Sequence, residues 1–205
     1  MTTLAFPLVP RTNPRQVLAD LIPAEGSRAR AVTRDVVLVV AVAALTALAA
    51  QVRVPLPFTP VPISGQTFAV LLGAAALGPV RGAAAQALYV AVGLIGVPVF
   101  TDGTSGTAVL FGATGGYLVG FVAAAVVVGA LARRGLDRGV LGTVLAYAAG
   151  SLVIYAIGMP WLAAVAGLNA GEAFAMGVAP FLIGDAIKAA VAGALLPSAW
   201  RLTRR

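Results

Sequence analysis

Asp185 and Lys188 stand three residues apart in the run PFLIGDAIKAA at 180–190, within the last apolar stretch of the chain. That spacing puts both on one face of a helix. Lys188 is the only lysine; every other basic residue is an arginine. A charge at the centre of a lone membrane helix costs about 2.5–3.5 kcal/mol on insertion scales. The pair therefore faces an interior cavity or a partner. One reading is a structural ion pair that neutralises itself. The other is a ligand site that sets an acceptor beside a cation. A buried ion pair saves nothing over two well-packed apolar residues, which favours the site.

Two further stripes carry polar groups. Gln86, Tyr89 and Gly93 share one helix face, and Tyr147, Ser151 and Tyr155 recur at a spacing of four. Such stripes either line a cavity or hydrogen-bond between helices. Arg53 stands apart from the other basic residues, where it could attract an anionic solute or sit at the membrane interface. There is no Cys and no His, which removes disulfides, thiolate or imidazole metal sites and histidine-based catalysis. An acid/base set would have to come from Asp102, Glu172 and Asp185, which lie on three separate segments, so an intramembrane enzyme is disfavoured. A P-loop needs Gly-x-x-x-x-Gly-Lys-Ser/Thr; the lone lysine is followed by alanine, so the chain has no ATP site of that kind. Uphill transport would need either another subunit or ion coupling through Asp185.

The elements that must hold these groups are membrane helices. Of the 205 residues, 60% are hydrophobic and only 10% charged, against about 25% charged in ordinary soluble chains. Residues 1–34 are mixed and Pro-containing, and read as a cytoplasmic extension. A loosely ordered tail is the first expectation, a short surface helix near 15–21 the alternative. Residues 4–9 form no signal peptide, because the apolar run is short and broken by Pro7. Helices are expected over about 35–50, 66–77, 82–97, 115–131, 139–157 and 178–196. Prolines at 55, 57, 60 and 62 favour an extended connection after the first. The second is short for a span of roughly 20 residues and needs tilt or shielding. Residues 100–114 and 160–171 are expected as loops, the latter with Trp161 at the interface. Pro197 is expected to end the sixth helix. Counted from Val178 at about 1.5 Å per residue, Asp185 lies about 10 Å below the outer end.

Charge tests this parse. With the N-terminus inside, every arginine except Arg53 falls on the cytoplasmic side, including Arg81 and the cluster at 133–138. That is a strong positive-inside bias. Basic clusters at both ends require an even number of spans, which six satisfies. The net charge of +7 is thus topological. No basic patch is interleaved with exposed aromatics as nucleic-acid stacking needs. The expectation is an all-α integral membrane protein with six transmembrane helices: a membrane domain over 35–200 and a basic cytoplasmic tail over 201–205.

Several runs, in order, resemble one family. They are VPISGQTFAVLLG at 61–73, LGPVRG at 77–82, LYVAVGLIGVPVF at 88–100, GATGGY at 112–117 and GDAIK at 184–188. The chain from about Gln51 to Leu196 is similar to BioY proteins, the biotin-binding S components of energy-coupling factor (ECF) vitamin transporters. One departure is Ala113, where the family pattern has proline. Residues 1–34 lie outside the resemblance.

The resemblance implies the ECF S-component fold, both termini inside a bacterial or archaeal cytoplasmic membrane, and biotin binding and uptake near the outer surface. It implies that Asp185 and Lys188 contact the ligand. Biotin offers two ureido N–H donors, a ureido carbonyl, a thiophane ring and a carboxylate. Asp185 can accept from the ureido group; Lys188 can meet either the ureido oxygen or the carboxylate. Gln86, Tyr89, Phe100, Gly115, Gly116 and Tyr117 complete the candidate pocket, and the Pro-rich 55–62 loop could close over it. The implied partners are a transmembrane T component and two ATP-binding subunits. Ala43 and Ala47, a small-xxx-small stripe on the first helix, would meet the T component. Biotin is cargo, and no resident cofactor or metal is implied.

Overall fold

The computed structural model describes residues 15–23 and 26–203. Residues 4–9, expected to form no signal peptide, and the ends of both expected tails (1–14, 204–205) lie outside the described residues. The described chain is almost wholly helical: α1 (Arg28–Gln51), α2 (Gln66–Leu77), α3 (Pro79–Leu94), α4 (Thr107–Phe111), α5 (Gly115–Arg133), α6 (Val140–Ala166), α7 (Ala170–Gly177) and α8 (Leu182–Leu202). A two-residue hairpin, β1 (Arg53–Val54) and β2 (Ile63–Ser64), pairs antiparallel between α1 and α2, with Arg53 opposite Ser64.

Among the described residues, four helical runs are long and apolar enough to cross a bilayer: Arg28–Gln51, Gly115–Arg133, Val140–Ala166 and Ala170–Leu202. The other two expected spans, α2 and α3, have 12 and 16 residues, short of the roughly 20 a full crossing takes. The shielding expected of α2 is present. It packs on α1, α3, α5 and α8, and most of its residues are buried.

Six boundaries differ from the sequence expectation by three residues or more, among them the end of α3, at Leu94 rather than near Val97. α1 starts at Arg28 rather than near Asp35, because Ser27 caps it by accepting from Arg30 N at 3.3 Å. α3 starts at Pro79, whose missing N–H costs nothing at the first helical position. α6 does not stop at Ile157 but runs through Pro160 to Ala166, and α8 runs through Pro197 to Leu202. In lipid an interrupted backbone leaves polar groups with no water to meet them, so a membrane helix tolerates an internal proline rather than ending at it. α8 itself starts at Leu182, after α7 and a 3-10 turn over Ala179–Phe181. The 160–171 segment is therefore mainly helix, and the 100–114 segment contains the short α4.

The Arg-rich end of the bundle is tightly tied. The expectation of a loose tail is overturned for 15–22. Val17 is fully buried, and a 3-10 turn at Leu18–Leu21 presents Asp20 to Arg81. Arg81 also reaches Asp35 Oδ1 at 3.0 Å and donates from Nε to Leu77 O at 3.0 Å. The strap forms because a guanidinium at the buried start of α3 needs carboxylates, and Asp20 and Asp35 supply them. Beside it, Trp200 at the end of α8 donates from Nε1 to Asp137 Oδ2 at 2.6 Å, and the Arg138 guanidinium lies 4.7 Å from the Trp200 ring centroid.

Candidate ligand site

The cavity lies away from Arg81 and the arginines at 133–138, with Arg53 alone among the arginines of the described residues beside it, paired to the lining residue Asp102. It encloses about 290 Å³, near the lower bound of small-molecule sites, about 300–1,000 Å³. Its aromatic and aliphatic lining includes Phe100, Tyr117, Phe121, Ile154 and Phe181. The rim is the Pro60–Val61–Pro62 stretch of the hairpin loop. That loop is anchored rather than free: Thr59 Oγ1 donates to Met176 O at 2.9 Å, and Val61 is buried.

Asp185 and Lys188 form the polar end. Their side chains are 12% and 17% exposed, and Lys188 Nζ lies 3.3 Å from Asp185 Oδ1. Asp185 sits in the first turn of α8, not midway down a helix that starts at Val178. From Leu182 it is displaced by only about 4.5 Å along the axis. Its charge therefore lies where the helix dipole favours an anion. Two other helices bring hydroxyls to it. Tyr155, on α6, donates to Asp185 Oδ2. Thr67, on α2, accepts from Lys188 Nζ at 2.6 Å and reaches Asp185 Oδ1 at 3.4 Å. Three helices thus converge on one ion pair, which faces a chamber of mixed lining: aromatic and aliphatic side chains together with Ser64, Gln66, Thr101, Asp102, Thr104 and Thr114.

Of the residues expected in the site, Asp185, Lys188, Phe100 and Tyr117 line the cavity. Gly115 and Gly116 are not lining residues. They sit in the first turn of α5 behind the wall, where an added Cβ would lie 1.6 Å from Leu110 O and 2.3 Å from Trp161 Cβ respectively. Their part in the structure is close packing at that helix start.

Gln86 lies away from the cavity: it is fully buried and donates to Thr46 Oγ1 at 3.3 Å on α1, a bond between helices. Tyr89 lies behind the wall. Its hydroxyl accepts from Gln66 Nε2 at 2.7 Å and donates to Val99 O at 3.3 Å, and its ring meets Phe100 edge-on at 5.5 Å. Gly93, one turn further, lets the Phe100 ring seat on α3; a Cβ there would come within 2.1 Å of it. Tyr147 is buried against Phe68 and also lies outside the lining.

Thr67 and Gln66 were not singled out from sequence, although both stand in the 61–73 run. Gln66 Oε1 accepts from Ser64 Oγ at 3.0 Å and Thr101 Oγ1 at 3.2 Å, knitting the hairpin to the far wall. Tyr155 was visible only as one member of a stripe. The signal for Gln66 and Thr67 is a polar side chain at a helix start beside a proline-rich connection; for Tyr155, inside α6, it is only the four-residue polar spacing. Among the described residues no group of three or more acidic side chains converges to hold a metal ion.

Ala43 and Ala47 lie on a second, apolar concavity of about 500 Å³ between α1 and α3, bounded also by Val40, Gln51, Tyr89 and Val99. Ala43 is buried at its floor and Ala47 is half-buried.

These features define a multi-pass membrane protein that encloses a small polar-headed cavity at one end of an all-helical bundle. The fold matches a crystal structure described as the S-component for biotin from an ECF-type ABC transporter, with a TM-score of 0.76, 22% identity, and coverage of 88% of this chain and 95% of that one. The BioY family model matches residues 20–205, so the likeness reaches back into the 1–34 segment expected to lie outside it, and the chain belongs to the BioY family. A probable biotin transporter BioY of Pyrococcus horikoshii is 40% identical over 159 residues, covering 78% of this chain and 91% of the relative. The biotin transporter BioY of Rhizobium etli is 39% identical over 171 residues, covering 80% and 91%.

Proposed function

We propose that this chain is the biotin-binding S component of an ECF-type transporter. The observation that carries the reading is the Asp185–Lys188 pair at the head of a cavity that also presents the aromatic rings of Phe100, Tyr117 and Phe181. Asp185 accepts the ureido N–H groups, and Lys188 meets the ureido oxygen or the carboxylate. Hydrogen bonds to charged groups contribute about 1.5–3 kcal/mol each. Phe100, Tyr117 and Phe181 pack the thiophane ring and the aliphatic tail. Biotin is cargo, not a resident cofactor.

In this reading the chain crosses the membrane six times. α2 and α3 complete the count as shortened crossings shielded by their neighbours, and both termini face the cytoplasm. The one-sided arginine distribution supports that orientation. Energy comes from two ATP-binding subunits through a T component, since the sequence has no P-loop. The α1–α3 groove with Ala43 and Ala47 is the face for the T component, because small side chains permit close helix approach.

Calorimetric titration of the detergent-purified protein with biotin, with thiamine and riboflavin as controls, tests the assignment. Sub-micromolar binding of biotin alone is expected, corresponding to more than about 8 kcal/mol. Absence of biotin binding in protein shown by mass spectrometry to carry none would overturn the substrate.

A further inference from the structure

One wall of the cavity is a short turn, 100–104, and it is held from outside the cavity by the end of α1. Gln51, the last residue of α1, puts both ends of its amide on this turn. Nε2 donates to Phe100 O at 3.0 Å and faces Val99 O at 3.4 Å; Oε1 accepts from Gly103 N at 3.2 Å. Arg53, just beyond on β1, forms an ion pair with Asp102. Asp102 has φ 67°, and among the described residues it is the non-glycine residue with a left-handed backbone. Aspartate tolerates that conformation better than most residues, yet it still favours a turn whose surroundings support it.

The other face of the turn belongs to the cavity. Phe100, Thr101, Asp102 and Thr104 all line it. Within the turn, Phe100 N donates to Thr104 O at 3.1 Å, Gly103 N to Phe100 O at 3.1 Å, Thr104 N to Thr101 O at 3.3 Å and Thr104 Oγ1 to Thr101 O at 2.8 Å. Local stability of so short a segment depends on contacts from outside it. The Gln51 grip is also divided. Its amide has two N–H donors but faces three carbonyls, Ala47 O at 3.1 Å being the third. Gln51 is exposed and borders the α1–α3 groove. The same side chain therefore touches the groove and the back of the cavity wall.

We infer that Gln51 and Arg53 are positioning residues of the ligand site, holding the 100–104 turn shut against the cavity so that displacement of the outer end of α1 opens it. The inference rests on the reading of the cavity as the biotin site and of the groove as the partner face. It makes α1 the element through which an event in the groove reaches the ligand.

The test uses the full chain in lipid nanodiscs, as wild type, Gln51→Leu, Arg53→Met and the conservative Arg53→Lys. Amide hydrogen exchange without ligand reads the turn directly. Exchange at 100–104 should quicken at least about tenfold in Gln51→Leu and Arg53→Met while α2 and α5 keep their protection, and Arg53→Lys should restore the slow rate. Biotin dissociation should quicken at least about fivefold in the same two variants, with association changed by less than about twofold. Unchanged exchange at the turn would overturn the clamp. Loss of protection throughout the bundle would make Gln51 and Arg53 merely structural. A loosened turn with unchanged dissociation would also overturn the positioning role. Failure of the wild type to bind biotin would remove the ligand reading, and the exchange measurement would still judge the clamp.

Discussion

Lys188 Nζ stands closer to Thr67 Oγ1, at 2.6 Å, than to Asp185 Oδ1, at 3.3 Å. The cation of α8 is thus gripped by α2, and the carboxylate beside it is shared with Tyr155 of α6. An ion pair held by three helices keeps its geometry when the ligand arrives, so little ordering remains to be done on binding.

Removing either charge should leave the other without its ionic partner in a largely buried position. Asp185→Asn and Lys188→Ala are each expected to weaken biotin binding at least about tenfold, near 1.5–3 kcal/mol. Titration calorimetry on purified variants checks this. Unchanged affinity in both would remove the pair from the site.

The hydroxyls should matter less than the charges they hold. Thr67→Val and Tyr155→Phe each remove a hydrogen bond to a charged group, which contributes about 1.5–3 kcal/mol to holding the pair; part of that loss is expected to reach the ligand, weakening binding by roughly threefold to tenfold. Because both act on the same pair, their effects should not add. A double-mutant cycle measured by equilibrium binding reads the coupling; strict additivity would mean that the two hydroxyls act separately.

The groove can be separated from the cavity by bulk alone. Ala47→Leu and Ala43→Leu should leave biotin affinity within about twofold while lowering ATP-driven uptake at least about tenfold with the energising subunits present, because a close helix contact does not tolerate overpacking. Ala47→Leu is the cleaner variant, since Ala43 already lies buried on the floor. Normal uptake in proteoliposomes would move the partner face elsewhere.

Asp137, in the turn between α5 and α6, gives a pH dependence. Burial raises its pKa above the ordinary 3.8, against the opposing pull of the Trp200 N–H bond and Arg138. The folded state therefore holds this proton more tightly than the unfolded state. Its contribution is fully present below 3.8 and is lost as pH rises through the folded value. Asp137→Asn keeps an acceptor for Trp200 Nε1 but carries no charge. Melting temperature, followed from about pH 4 to pH 7, should fall less with rising pH in the variant than in the wild type. Equal slopes would show that Asp137 is not the group responsible.

The sequence by itself determined the membrane class, the helix periodicity, the position of α2 to the residue, and the charged pair at 185 and 188. These are legible because each rests on a local rule: apolar length, proline and glycine at helix ends, and the cost of a charge in lipid. It also placed Phe100 and Tyr117 among the ligand candidates, through contiguous runs resembling one family. Two other kinds of feature needed the tertiary structure. Helices that run through Pro160 and Pro197 do so because the bilayer penalises a broken backbone more than a lost hydrogen bond, a balance invisible to propensity. The partners of the site came from afar: Thr67 is 121 residues from Lys188, and Tyr155 is 30 from Asp185. Gln86 and Tyr89 share a helix stripe, yet one bonds across to α1 and the other stands behind the Phe100 wall. Spacing fixes which residues share a face, while packing alone decides whether that face meets a neighbour, a wall or a cavity.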